Sequence, residues 1–423
     1  MAVDATGNVV VTGNSAGFNS GSDFVTLKYA ASGQQLWVAR YFLVGDEEDL
    51  PAAVALDAAG NVYVTGYGDS DDSFVINYDY VTLKYAAGGQ QLWVARYRGT
   101  GARDSQDQAR DLAVDAFGNV AVTGVSANST GASAFATVKY NGTSGEQLWA
   151  TRFEGYGPRT QQHGATGIAT DAAGDVVVTG VFSNSDGQTD YATLKYAGAS
   201  GQQRWLVRYD GPTSGNDQAT EVVLDAAGDV YVSGSSIGGP SASPNALFNT
   251  DYATLKYAGS SGEQQWVARY KGPANGYDQV TALAVDALGQ VLVTGRSESG
   301  LGSSQQFATV AYTQASQATA KVLSATTQPT ASASPASGQQ LAVYPNPATG
   351  PTTIRFRPVL DGPAQVLVYN QLGQQVATLY DGPVRQGHSY ELSLRSEQLP
   401  AGLYTCSLLV SGQRESVRLV VTH

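Results

Sequence analysis

Residues 55–66 have the sequence Ala-Leu-Asp-Ala-Ala-Gly-Asn-Val-Tyr-Val-Thr-Gly, and the same pattern returns throughout the first 312 residues. In each copy an aspartate is followed three residues later by glycine, and an alternating apolar run then ends in Thr-Gly or Ser-Gly. The copies begin at Asp4, Asp57, Asp115, Asp171, Asp225 and Asp286. Such self-similarity at a nearly fixed spacing indicates a repeat architecture.

Two further patterns complete the repeat. One is close to Asp-Tyr-Ala-Thr-Leu-Lys-Tyr, as at residues 190–196, and the other contains Trp-x-x-Arg, as at residues 205–208. Each unit therefore predicts four short strands joined by glycine-rich turns, and no segment of the unit has a helical period. Antiparallel four-stranded units that repeat radially build a β-propeller. We expect an all-β fold with a six-unit propeller over residues 1–312.

These units resemble the bacterial β-propeller repeats of the SBBP type, whose pattern A-x-D-x-x-G-N-x-Y-V-T-G is matched in full by residues 55–66. The resemblance implies a propeller but no particular reaction. Strands one to three occur six times and the tryptophan-bearing fourth strand five times, so we expect the last blade to be incomplete. Because Met1 leads directly into the first repeat, we also expect that a signal peptide and a closing strand have been lost upstream. Residues 318–324 are an alternative source of that strand.

Composition limits the function classes. The net charge is −12, which disfavours binding to the phosphates of nucleic acids. Cys406 is the single cysteine, so neither an intrachain disulfide nor a cysteine-based zinc site can form, and its alternating surroundings predict a buried side chain. No apolar run reaches the ~20 residues that a membrane span requires.

The sequence changes character after residue 312. Residues 313–340 are rich in Ser, Thr, Ala and Pro, which predicts an extended linker. Alternating segments follow in residues 341–423, and they predict a small Ig-like antiparallel β-sandwich.

Three motifs in this last segment resemble the type A sorting domain of the type IX secretion system. They are the Tyr344-Pro345-Asn346-Pro347 opening, the residues around Gly373, and a stretch that includes Gly402 and Tyr404. The resemblance implies export to the outside or to the outer-membrane surface of a Gram-negative bacterium. It also implies, as partners, the secretion machinery and its sortase-like peptidase.

Carboxylates are the candidate ligands of the repeat region. Asp107, Asp217 and Asp278 take equivalent positions just before the first strand of a blade. Oxygen ligands that converge at a channel mouth would suit Ca²⁺. Alternatively, each aspartate accepts backbone N–H groups where the chain enters the blade. No other cofactor is expected.

Ligand binding is expected where the units differ, because loops on a rigid scaffold commonly carry function. The variable loops follow the Thr-Gly strand, at residues 14–22, 67–78, 125–133, 181–189, 235–250 and 296–305. Their candidate binding residues are Asp69, Asp71, Asp72, Asp186, Asp190 and Phe248. We expect a non-catalytic module that binds a surface glycan or a protein. The alternative is a secreted polysaccharide-active hydrolase or lyase that uses loop carboxylates.

Overall fold

The structure is a computed structural model of the 423-residue chain. It describes residues 1–16, 21–42, 49–69, 77–100, 106–127, 132–154, 164–184, 187–213, 215–238, 249–273, 276–286, 289–298, 305–312, 321–323, 340–344, 346, 348, 350–358, 360–370, 375–400, 402–410 and 413–422. The chain divides into two compact units, Met1–Thr326 and Thr327–His423.

Within its described residues, the first unit forms six four-stranded antiparallel sheets with the strands of each sheet in chain order. The first three sheets consist of β1 (Ala2–Val3), β2 (Val9–Ala16), β3 (Ser22–Tyr29), β4 (Gln35–Tyr41); β5 (Leu50–Leu56), β6 (Val62–Asp69), β7 (Tyr78–Tyr85), β8 (Gln91–Tyr97); and β9 (Gln108–Val114), β10 (Val120–Ala127), β11 (Ser133–Tyr140), β12 (Gln147–Glu154). The other three consist of β13 (Gly164–Thr170), β14 (Val176–Ser183), β15 (Thr189–Tyr196), β16 (Gln203–Tyr209); β17 (Asp217–Leu224), β18 (Val230–Ile237), β19 (Thr250–Tyr257), β20 (Gln264–Tyr270); and β21 (Gln279–Val285), β22 (Val291–Glu298), β23 (Gln305–Tyr312), β24 (Lys321–Leu323).

The repeated aspartate shapes the turn between the first two strands of each sheet. Asp57 accepts hydrogen bonds at Oδ1 from the backbone N–H groups of Ala59 (3.0 Å) and Asn61 (2.9 Å). Gly60 takes a left-handed φ of 78°, which glycine adopts without strain. Asp57 and Gly60 together thus fix the turn between β5 and β6.

The core lies between successive sheets. Trp93 and Tyr63 of the second sheet pack in one apolar cluster with Leu112, Val122 and Tyr140 of the third. The β5, β9, β13, β17 and β21 strands contact one another in sequence, so first strands form the inner layer of the first unit.

The expectation of an incomplete last sheet was wrong. β24 pairs antiparallel with β23, with Thr309 opposite Leu323 and Ala311 opposite Lys321. Without this partner, the outer edge of β23 would leave its backbone N–H and C=O groups unpaired. The segment expected as a linker therefore supplies a strand to the first unit, from within residues 318–324.

The second unit contains two antiparallel sheets around one apolar core. One sheet has the order β25-β26-β29 and the other the order β28-β27-β30-β31. The core includes Ile354 and Phe356 from one sheet and Val366 and Cys406 from the other. The elements are β25 (Gln340–Tyr344), β26 (Thr352–Arg357), β27 (Gly362–Tyr369), β28 (Gln375–Val384), β29 (Tyr390–Leu394), a 3₁₀ turn (Ser396–Gln398), β30 (Gly402–Val410) and β31 (Gln413–Val421).

Candidate functional site

The three aspartates expected before the first strands are fully buried, and they belong to three different sheets. Asp107 Oδ2 accepts the N–H of Gly99 at 2.7 Å. Asp278 Oδ2 accepts the N–H of Gly272 at 2.6 Å. Asp217 accepts the N–H groups of Gly211 and Ile237. Acceptance of backbone N–H groups where the chain enters a sheet is therefore confirmed for all three.

The loop candidates are distributed over several sheets. Asp69 ends β6 and accepts the backbone N–H of Asn77 at 3.3 Å. Asp190 lies on β15 and is buried. The remaining candidates lie outside the described residues: Asp71, Asp72, Asp186 and Phe248.

Asp190 belongs to a group of three acids at the junction of the fourth and fifth sheets. One ligand oxygen from each of Asp190, Asp210 and Asp217 lies within 4.8 Å of the others. Asp210 follows the last strand of the fourth sheet, and Asp217 opens the first strand of the fifth. We call these three residues the Asp190 cluster. Two of its members are buried, and Asp210 is exposed.

The electrostatics of the Asp190 cluster reflect its burial and its concentrated negative charge. The pKa of Asp190 is raised to about 6, chiefly by burial and then by the charges of Asp210 and Asp217, whereas Asn184 and Arg208 act in the opposite direction. Burial also raises the pKa of Asp217, against the hydrogen bonds that the carboxylate accepts. A buried carboxylate with other negative charges beside it is stabilised either by protonation or by a bound cation.

Asp210 was missed in the sequence, although the repeat contains the signal for it. In the second and fifth sheets, the residue after the fourth strand is Arg98 or Lys271. Arg98 pairs with Asp79, the equivalent of Asp190, at 3.8 Å. The third and fourth units carry an acid at this position, Glu154 and Asp210, and alignment of the repeats makes the reversal of charge visible.

A cavity of about 560 Å³ lies against the inner strands β9, β13 and β17. Its polar lining includes Arg110, Ser133, Thr166, Thr189, Gln218 and Thr220. We call it the inner pocket. Ser133 and Thr189 are the last residues of the variable loops 125–133 and 181–189. Part of the pocket lining therefore comes from segments in which the repeats differ. Partial desolvation lowers the pKa of Arg110, but an arginine remains charged at physiological pH.

Two acids on inner strands were also not predicted from the sequence. Asp111 accepts the N–H groups of Leu112 (2.8 Å) and Ile168 (3.0 Å), and Glu221 accepts that of Leu283 at 2.7 Å. Each therefore links its first strand to the first strand of the next sheet. Burial raises the pKa of Asp111 to about 7, with a smaller contribution from the charge of Glu221, and burial likewise raises the pKa of Glu221.

The sorting-motif residues are placed in the second unit as follows. Asn346 donates through Nδ2 to the carbonyl of Arg418 (2.7 Å) and accepts at Oδ1 the N–H of Val420 (2.9 Å), which joins the opening of the domain to its last strand. Tyr404 is buried on β30, which Gly402 begins, and donates to the carbonyl of Pro400 at 2.8 Å. Tyr344 ends β25. The other motif residues lie outside the described part of the chain: Pro345, Pro347 and Gly373.

Cys406 is fully buried, as its alternating surroundings predict, and burial raises the pKa of its thiol to about 12. The thiolate is the reactive form of cysteine, so this side chain serves packing. In the described ranges, no helix has the length and apolarity that a bilayer crossing requires.

No curated protein matches the chain in sequence. Among solved structures, quinohemoprotein alcohol dehydrogenase from Comamonas testosteroni is 11% identical, with a TM-score of 0.41, over 95% of this chain and 72% of its own. The GH93 α-L-arabinofuranosidase of Fusarium graminearum is 11% identical, with a TM-score of 0.40, over 82% of this chain and 92% of its own. Scores this low carry no inference about activity.

One family model matches, over residues 342–422, and it describes a secretion system C-terminal sorting domain. The match falls on the second unit, whose opening and penultimate strand carry the Tyr344 and Tyr404 motifs. The chain thus ends in a type IX sorting domain, which supports secretion of the protein by that system.

Proposed function

We propose that this protein is a non-catalytic binding or scaffold module that acts outside the cell or on its outer surface. In this proposal, residues 1–312 are a six-bladed propeller of SBBP-type repeats, which the segment 313–340 completes and connects to an Ig-like sorting domain at 341–423. The type IX machinery exports the protein from a Gram-negative cell, and a sortase-like peptidase recognises the sorting domain. The match over residues 342–422 supports this route.

The inner pocket is the observation that carries the binding role. It combines one guanidinium, Arg110, with hydroxyl and amide groups from Thr166, Gln218 and Thr220. Guanidinium and hydroxyl groups suit a ligand with carboxylate and hydroxyl groups, as found in acidic glycans and in acidic protein loops. Its volume of about 560 Å³ lies within the range of small-ligand sites.

A polysaccharide-active hydrolase is the second candidate, because the pKa of Asp111 is raised to about 7. A general acid needs a pKa near the working pH, and a glycosidase needs two carboxylates about 5 to 10 Å apart. However, Asp111 and Glu221 both accept backbone N–H groups of neighbouring strands. These bonds give both carboxylates a structural role, which favours the binding module.

A binding screen tests the proposal. The full chain is applied to an array of neutral and acidic glycans and to extracted surface proteins, beside an Arg110→Ala variant and an exposed control variant, Lys271→Ala. We expect binding to an acidic glycan or protein, at least tenfold weaker for Arg110→Ala and unchanged for the control. Binding that is equally strong in both variants would overturn the assignment to the inner pocket, and so would the absence of binding by the wild type.

A further inference from the structure

We propose that the Asp190 cluster binds one Ca²⁺ ion, which joins the fourth sheet to the fifth. The inference does not depend on ligand binding at the inner pocket. Asp190 belongs to β15 and Asp217 to β17, whereas Asp210 lies in the connection between the two sheets. An ion held by all three would therefore cross-link elements that the chain otherwise connects by the segment between β16 and β17.

A buried oxygen of Asp190 supports a bound cation independently of the clustering. The Asp190 side chain is only 6% exposed. One of its carboxylate oxygens forms a hydrogen bond with Asn184, but Oδ1 has no hydrogen-bond partner among the described residues. A buried carboxylate oxygen without a partner carries a desolvation penalty, because it has lost its water and gained no hydrogen bond. A metal ion in the cluster would remove this penalty.

In the first and fifth sheets, the acid equivalent to Asp190 is paired with an arginine of its own sheet. Asp251 of the fifth sheet pairs with Arg269 at 3.0 Å, and Asp23 of the first pairs with Arg40 at 3.5 Å. In the fourth sheet, the equivalent arginine, Arg208, lies over the ring of Phe182 at 4.1 Å.

Position 210 adds a third negative charge where the second and fifth sheets have Arg98 and Lys271. The cationic side chains that act on the cluster are Arg208, near Asp190, and Arg269, near Asp217. Arg269 is already engaged by Asp251. The fourth unit thus has the same buried acids as the second and fifth but a carboxylate where those two have a cation, and a bound cation would restore the local balance of charge.

The donor set favours Ca²⁺ over Mg²⁺. Ca²⁺ takes six to eight oxygen ligands in a flexible geometry, whereas Mg²⁺ requires a near-ideal octahedron and keeps several of its own waters. The cluster offers three carboxylate oxygens from three separate segments of the chain, all within 4.8 Å of one another. The exposed Asp210 leaves one side open for the water ligands that would complete a coordination number of 6 to 8.

The carboxylate of Asp217 is already oriented toward such a role. Its oxygens accept the N–H groups of Gly211, which precedes β17, and of Ile237, which ends β18, and the carboxylate also forms a hydrogen bond with the Ser236 side chain. Hydrogen bonds that fix a ligating carboxylate commonly strengthen metal sites. Since each oxygen has two lone pairs, an accepted N–H leaves room for coordination.

Calorimetry and thermal unfolding of the full chain, first treated with a chelator, test the proposal. Titration with CaCl₂ should show one site with a Kd of about 10⁻⁴ to 10⁻³ M, the range of extracellular Ca²⁺ modules. MgCl₂ should bind at least tenfold more weakly. Saturating Ca²⁺ should raise the Tm, because an ion that binds only the folded chain stabilises it.

Three variants make the test specific. Asp210→Asn, at an exposed position, should weaken Ca²⁺ binding at least tenfold and abolish the Tm shift. Asp210→Lys copies the fifth sheet, so it should unfold at a Tm close to that of the Ca²⁺-loaded wild type and should not respond to Ca²⁺. Asp79→Asn, at the position of the second sheet that corresponds to Asp190, should leave Ca²⁺ binding unchanged.

Two results would overturn the proposal. One is a wild-type chain that shows neither heat nor a Tm shift at about 10 mM Ca²⁺, well above that Kd range. The other is a Ca²⁺ response that Asp210→Asn and Asp210→Lys both retain in full, which would assign the ion to another site.

Discussion

The ammonium of Lys139 lies 2.7 Å from Oδ2 of Asp115, and the two side chains are only 3% and 0% exposed. The same ammonium donates to the carbonyl of Gly174 in the next sheet at 2.8 Å. One repeated lysine thus neutralises the turn aspartate of its own sheet and ties that sheet to its neighbour. The lysine and aspartate that recur in the units therefore stabilise the fold, and we expect ligand binding at positions where the units differ.

Loss of this lysine should be costly. Lys139→Met leaves the carboxylate of Asp115 buried without its cation, and we expect it to lower the free energy of unfolding by about 3 kcal/mol. Urea unfolding measures the change. The double variant Lys139→Met/Asp115→Asn should recover part of the loss, and Lys271→Met, at an exposed position, is the control. A Lys139→Met loss no larger than that of the control would contradict the assigned role.

The repeated residues show how much the sequence could predict. Asp57, Lys139 and Trp93 have counterparts at equivalent positions of other units. Each is therefore expected to stabilise the structure that the units share, and the contacts of all three do so. The Asp190 cluster could not be predicted, because Asp190 and Asp217 meet only when two sheets pack together.

The positions of Asp111 and Glu221 could not be predicted for another reason. A shift in register interrupts the pairing of β9 with β10 at Thr123/Gly124 and that of β17 with β18 at Ala219/Glu221. Such a bulge breaks the two-residue alternation that assigns side chains to faces. The sequence therefore could not assign Arg110 or Asp111 to a face of β9.

Tryptophan packing between sheets predicts that two glycine substitutions differ in their effect on stability. A Cβ on Gly145, where φ is +74°, would lie 2.8 Å from the ring of Trp93, whereas a Cβ on Gly118, where φ is +81°, meets nothing within 4 Å. Both alanine variants carry the left-handed backbone cost of about 1–2 kcal/mol. Gly145→Ala should lose a further 1–3 kcal/mol, roughly, through overpacking. Equal Tm values for the two variants would refute the contact.

The raised pKa of Asp111 predicts a pH dependence of stability. Folded Asp111 keeps its proton up to about pH 7, whereas the ordinary value is 3.8, so the folded chain binds more protons between these values. Stability from this group should therefore be fully present below about pH 4 and should fall as the pH rises toward 7. Asp111→Asn removes the slope. The Tm of Asp111→Asn minus that of the wild type should increase across this window; a constant difference would contradict the raised pKa.

The two hydrogen bonds of Asn346 should stabilise the sorting domain. Asn346→Ala removes both, and we expect a loss of about 1–2 kcal/mol, with faster proteolysis of residues 342–422 and less protein outside the cell. Glu391→Ala is the control, because it breaks an exposed ion pair with Arg355 and keeps the contact of Arg355 with the Tyr344 ring. Quantitative immunoblots of cells and medium measure export. Equal export of the two variants would show that these bonds do not matter for sorting.

The most direct test of the central claim, binding without conversion, is mass spectrometry of a panel of acidic and neutral polysaccharides after long incubation with the full chain. The incubation is run at about pH 5 to 7, where Asp111, with its pKa raised to about 7, holds the proton that a general acid needs. The account predicts that every polysaccharide is recovered intact. Fragments that accumulate over many turnovers with the wild type and vanish with Asp111→Asn would contradict it and would establish the hydrolase instead.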